Sequence, residues 1–209
     1  MLNKIKMNEN FKFYKFIKFL NKLKEEKRFL GVKNIKGDNS ADHSWRLAMM
    51  VVLSAEFYKI KINILKAIKI ALTHDLVEII AKDITRADRV KKNISDKEKI
   101  KNERIAMKKI IKIAPKKIGR EIELLWEEYI VRKTKEAKIV ASLDKIEGLM
   151  TFFEKGKPAK YYAGYIATYA NTYLKETLEL KDLYACLQKE MKASYIKNGM
   201  KWKKEYKNI

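Results

Sequence analysis

The chain has 209 residues, 47% hydrophobic and 35% charged, which fits one globular domain and excludes a disordered or disulfide-stapled polypeptide. The formal net charge is +22, but the lysines are spread along the whole length, which argues for a solvated basic surface and against nucleic acid as the partner. One cysteine, Cys186, fits a reducing cytoplasm; the opening residues lack the apolar core of a secretory leader, and no apolar run is long enough to span a bilayer.

Only two prolines and seven glycines punctuate the chain, and no stretch alternates with period two. It therefore reads as all-α, a single domain over 1–209 without repeats or linkers. Residues 10–27 carry a helical stripe at Phe13, Phe16, Ile17, Leu20 and Leu23, with Arg28 at the end of that helix. Residues 29–40 are expected as loop. Asn39 or Ser40 then caps a helix to about Tyr58, with Leu47, Met50, Val51 and Ser54 inward and Trp45 expected in the core. Asn63 caps a central helix bearing Leu65, Ile68 and Leu72. That helix continues through Thr73-His74-Asp75-Leu76-Val77-Glu78, placing Glu78 one turn below His74 on the same face.

Residues 82–93 read as loop. Ser95-Asp96-Lys97-Glu98 is a capping box opening a helix to about Ile113. Ala114-Pro115 ends it, with Pro115 in the first turn of a helix presenting Ile118, Ile122, Leu125 and Trp126. Thr134 caps the next helix, whose Ile139, Leu143 and Ile146 face inward. Beyond Gly156-Lys157-Pro158 come a Tyr- and Ala-rich segment, two more amphipathic stretches and a basic tail.

Only two histidines occur, His43 and His74. His74 and Asp75 lie in a strongly apolar run, where such groups are costly to bury unless something satisfies them. Asp144 sits in a similar apolar helical pattern. His43, His74, Asp75 and Asp144 form a mixed nitrogen and oxygen set that suits one divalent first-row metal, with cobalt, manganese, zinc, iron and nickel all compatible. Arg46 shares a helix face with His43 and either orients a carboxylate, reaches a phosphate or makes a structural ion pair.

These residues carry a resemblance. Asp42-His43-Ser44-Trp45-Arg46, His74-Asp75-Leu76-Val77-Glu78, Asp83-Ile84-Thr85, Glu98-Lys99 with Arg104, Leu124 with Trp126-Glu127-Glu128-Tyr129, Glu136-Ala137-Lys138 and Asp144-Lys145 follow the order of HD-domain phosphohydrolases. The sequence most resembles the branch containing the bacterial 5′-deoxynucleotidase. The resemblance covers a metal-binding core of about 11–153 and fades over the C-terminal helices of about 159–200.

It implies a single-domain helical HD bundle, a cytoplasmic homodimer, and metal-dependent hydrolysis of deoxyribonucleoside 5′-monophosphates. It also implies Arg28 on the substrate phosphate and Asp83 beside the reacting water, with Glu78 as proton acceptor. The family often has Gly before that Asp and Pro after the Thr; here Lys82 and Arg86 stand there, and Phe29 is the only aromatic near Arg28. Binuclear relatives need more histidines. Relatives hydrolysing guanosine tetraphosphate follow His-Asp with Glu-Asp, whereas Ile79 follows Glu78 here. The rival readings are another small phosphate ester or cyclic nucleotide as substrate, and a non-catalytic nucleic-acid binder.

Overall fold

The computed structural model describes residues 8–29, 38–82, 94–156 and 163–207. Among these residues every regular element is a helix, as the absence of period-two patterning requires. In chain order they are α1 (Glu9–Leu20), α2 (Ser40–Phe57), α3 (Ile64–Thr73), the short α4 (Glu78–Ala81), α5 (Asp96–Ile113), α6 (Lys116–Val131), α7 (Lys135–Lys155), α8 (Ala163–Thr168), α9 (Asn171–Leu174) and α10 (Lys181–Lys197). The caps follow the sequence closely. Asn39 accepts from Ala41 and Asp42, Asn63 from Lys66, Ser95 from Glu98 and Thr134 from Ala137. Pro115 stands just before α6 as its N-cap, one position earlier than expected.

α7 is the axis of the bundle. It is buried without a break from Ile139 to Asp144, and α2, α3, α6, α9 and α10 pack around it. One apolar cluster joins Leu47 and Val51 of α2, Ile70 and Ala71 of α3, and Leu143 and Ile146 of α7 to Leu174, Tyr184 and Met191. A second joins Phe16 of α1, Leu76, Val77 and Ile79, Met107 and Ile110 of α5, and Trp126 of α6. α5 and α6 meet closely at Gly119, where a Cβ would lie 2.9 Å from the Ile111 carbonyl oxygen. His74 and Asp75 sit at the seam between the two clusters.

Three expectations are corrected. The first helix is α only to Leu20 and tightens into a 3₁₀ turn over Asn21–Glu25. Its stripe is only half buried, because Phe13 and Ile17 face out while Phe16 and Leu23 face in. The central helix stops at Thr73. Leu76, Glu78 and Ile79 donate to the carbonyls three residues back, so 74–77 is a tightened turn. At three residues per turn Glu78 eclipses Asp75 rather than His74. Trp45 is 66% exposed, because it stands two residues, about 200° of helix, from the inward-facing His43.

Candidate metal centre

His43 projects from α2, His74 caps the C-terminus of α3, Asp75 opens the tight turn after it, and Asp144 comes from the middle of α7. The two Nε2 atoms lie 3.2 Å apart. Asp75 Oδ2 is 3.2 Å from His74 Nε2 and 3.7 Å from His43 Nε2. Asp144 Oδ1 is 3.2 Å from His43 Nε2 on the other side.

Both imidazoles are oriented from behind. His74 Nδ1 donates to the Ala71 carbonyl at 2.8 Å, and His43 Nδ1 is in close contact with Glu147 Oε2. With each Nδ1 spent as a donor, both Nε2 lone pairs face one point. Two lone pairs and two carboxylates converging in a buried space repel unless a cation lies among them. His43, His74 and Asp75 bring their ligand atoms close enough together to hold a cation, with Asp144 against His43, and this donor set fits a first-row divalent ion.

The electrostatics follow from burial and these neighbours. Burial pushes the Asp75 carboxyl up, but the two imidazoles and Arg28 outweigh it and hold it far below the usual carboxylate range. Burial opposes ionisation of Asp144 too, and Lys145 and His43 overcome it. Burial and Arg28 both disfavour the His43 imidazolium, yet Asp144 and Glu147 leave its pKa raised. Burial alone would lower the pKa of Arg28; Asp75, Glu147, Asp144 and Glu78 raise it instead.

Arg28 therefore reaches the site. Backbone bonds from Arg28 to Asp38 and from Ser40 to Glu26, both 3.0 Å, tie residues 26–28 to residues 38–40 at the start of α2. The Arg28 guanidinium lies 3.4 Å from Glu147 Oε2. Glu78 is buried and accepts from Ser40 Oγ at 2.5 Å, one turn along α2 from His43. Arg46 is turned outward into a two-pronged pair with Glu154 at 2.6 and 2.7 Å. It lines a cleft of about 240 Å³ with Asp38, Asp42, Trp45, Glu147, Thr151 and Lys155. Asp83 lies outside the described residues.

Sequence reasoning missed Glu147, although it follows Asp144 by one helical turn and so shares its face. It also assigned nothing to Tyr129, Lys145 or Lys99. Tyr129 Oη donates to Asp144 Oδ2 at 2.5 Å, and Lys145 Nζ to the same atom at 2.6 Å. Lys99 on α5 pairs with the buried Glu103; burial lowers its pKa, while Glu103, Asp75 and Glu78 raise it more.

Residues 20–183 match the model of an HD-domain family. The 5′-deoxynucleotidase HDDC2 of Danio rerio is 34% identical over 79% of this chain and 82% of its own length. The Mus musculus protein of the same name is 32% identical over 74% of this chain and 77% of its own. Among solved structures, a predicted metal-dependent phosphohydrolase from Magnetospirillum magnetotacticum superposes with a TM-score of 0.69 at 26% identity, covering 88% of this chain and 94% of that one. With the histidine-aspartate cluster built from three separated segments of a helical bundle, the chain belongs to the HD-domain family of metal-dependent phosphohydrolases, alongside these 5′-deoxynucleotidases.

Proposed function

We propose that this chain removes phosphate from deoxyribonucleoside 5′-monophosphates at the cluster of His43, His74, Asp75 and Asp144. The two inward-facing Nε2 atoms 3.2 Å apart, flanked by carboxylates, carry this reading. The substrate class is supported by the names of the relatives, from vertebrates to slime mould. When bound, one divalent ion (cobalt, manganese, zinc, iron or nickel) would lower the pKa of a water and neutralise charge on a phosphate oxygen.

The chain's own residues do the rest. Glu78 takes the proton of the attacking water as oxygen bonds to phosphorus, and returns it to the leaving 5′-oxygen. Ser40 steadies the Glu78 carboxylate for both transfers. Asp83 orients the water. Arg28 binds phosphate through its planar fork, already poised among the site's carboxylates. Arg46 meets the substrate at the mouth of the cleft by exchanging its exposed partner Glu154. The charge of +22 draws anionic substrates toward the site.

Phosphate release from the common deoxynucleoside 5′-monophosphates and their ribo counterparts, with added cobalt or manganese, tests this. The expected result is deoxy-selective turnover, abolished by Asp75→Ala and by Glu78→Ala. Equal turnover of ribo and deoxy substrates would discard the substrate assignment. No turnover of any monophosphate by metal-loaded protein would sink the nucleotidase reading.

The working form is a cytoplasmic homodimer joined through the outer face of α2. Among the described residues no helix is long and apolar enough to cross a membrane. α2 exposes Trp45, Met49, Leu53 and Phe57, one every four residues along about 18 Å of helix. It contains no lysine, in a chain with 48 lysines and arginines. α1 also exposes Phe11, Phe13 and Tyr14, but lysines of the same helix lie over two of them, Lys15 over Phe11 at 4.6 Å and Lys18 over Tyr14 at 5.7 Å. Two copies this basic repel over most of their surfaces, and the α2 face is where they meet without opposing lysines. Antiparallel pairing of α2 with α2 also sets the exposed Asp42 near one end against Lys59 and Lys61 beyond the other. Light scattering is expected to give a dimer at micromolar concentration and a monomer for Leu53→Lys. A monomeric wild type would overturn this interface.

A further inference from the structure

Asp144 has two carboxylate oxygens, and the structure treats them differently. Oδ1 faces His43 Nε2 at 3.2 Å. Oδ2 is turned away and accepts two bonds, from Tyr129 Oη at 2.5 Å and from Lys145 Nζ at 2.6 Å. Each donor is itself held in place. The Tyr129 ring lies against the His74 ring, centroids 5.0 Å apart, so the same side chain backs one imidazole and holds one carboxylate.

Lys145 is the less expected member. Neighbouring residues on a helix diverge by about 100°, so Lys145 meets Asp144 only if its ammonium is bent back toward it. Two tyrosine faces achieve this. The ammonium lies 5.3 Å from the Tyr173 ring centroid and 5.6 Å from that of Tyr169. Tyr173 is gripped from elsewhere by Arg132, at 4.7 Å. Both rings come from the chain beyond Gly156, which is anchored to α7 by Thr177 Oγ1 donating to Ser142 Oγ at 2.7 Å. The C-terminal helices thus reach the ligand cluster through one lysine.

We propose that Tyr129 and Lys145 are positioning residues that reserve Oδ2 of Asp144, so that the carboxylate offers a metal ion one oxygen rather than two, with Tyr169 and Tyr173 as the aromatic wall holding Lys145. Without these donors the carboxylate is free to rotate and chelate. That adds a ligand and fills a coordination position that a hydrolytic site keeps for water. This rests on the reading of His43, His74, Asp75 and Asp144 as the ion site.

Cobalt(II) reports on it without turnover, because its visible absorption weakens as the number of ligands rises. The full chain, Tyr129→Phe, Lys145→Met, Lys145→Arg and Tyr173→Leu are each loaded with one equivalent of cobalt. Their visible spectra and their affinities, by competition with a chromophoric chelator, are compared alongside thermal unfolding. Tyr129→Phe and Lys145→Met are expected to weaken the band and, with the freed oxygen added as a ligand, to raise cobalt affinity severalfold. Tyr173→Leu is expected to shift both the same way by less, and Lys145→Arg to restore the wild-type spectrum. Wild-type spectra in both Tyr129→Phe and Lys145→Met would overturn the proposal. A wild type that binds no cobalt at all would overturn the ion site itself, and the proposal with it.

Discussion

The buried cluster at His43 and the cleft beside Arg46 share one carboxylate, Glu147, and use its two oxygens in different surroundings. Oε2 contacts His43 Nδ1 and lies 3.4 Å from Arg28, where all three side chains are largely shut off from solvent. Oε1 accepts from Thr151 at 2.9 Å and faces Arg46 at 3.9 Å, toward the open cleft. Each side has an arginine, yet one sits among the carboxylates of the cluster and the other pairs with Glu154, whose side chain is 47% exposed. Coulomb interactions grow as water is excluded, so a charge lost on the inner side leaves unpaired partners that water cannot rescue. On the outer side water replaces whatever is removed.

Breaking the shared carboxylate gives the largest expected effect after loss of a ligand itself. Glu147→Gln keeps the shape and removes the charge behind His43, and metal affinity is expected to fall by about ten- to a hundredfold in a cobalt titration. Substituting the two arginines sharpens the comparison. Arg28→Lys replaces a planar fork with a point charge, and kcat/KM for the deoxynucleotide is expected to fall roughly tenfold. Arg46→Lys, at the solvated mouth, is expected to change it less than about twofold. Equal losses in the two variants would erase the distinction between the regions.

The smallest effect is in stability against pH. The hydrogen bond from Arg46 holds Glu154 below its ordinary pKa. Its folded pKa is therefore lower than its unfolded one. The pair's contribution is present above the unfolded value of about 4.3 and fades as pH falls through the lowered folded value. At this exposure it amounts to roughly half a kcal/mol. The melting-temperature gap between wild type and Glu154→Gln is expected to be small at neutral pH and to close in acid.

How much of this was legible in the sequence depends on how far each feature reaches. The helices were, because their caps Asn39, Asn63, Ser95 and Thr134 act on backbone groups two or three residues away. His43, His74, Asp75 and Asp144 stood out because such groups do not lie idle in apolar runs. Two misses were readable from helical spacing alone: Trp45 stands opposite His43, and Glu147 lies one turn from Asp144. The half-exposed stripe of α1 was not, since periodicity gives a face but not what will cover it. Nor was the tightening at 74–77, where bonds switch to the third residue back within an unbroken apolar run. Tyr129 and Tyr173 reach the site only through the way α6 and α9 pack on α7, and no local pattern encodes that.

The most direct test is to titrate cobalt into metal-stripped protein while following phosphate release from a deoxynucleoside 5′-monophosphate. One ion held by His43, His74, Asp75 and Asp144 predicts no release at the start, a linear rise, and a break at one equivalent per chain. Full activity in the stripped protein, or a break at two equivalents, would contradict it.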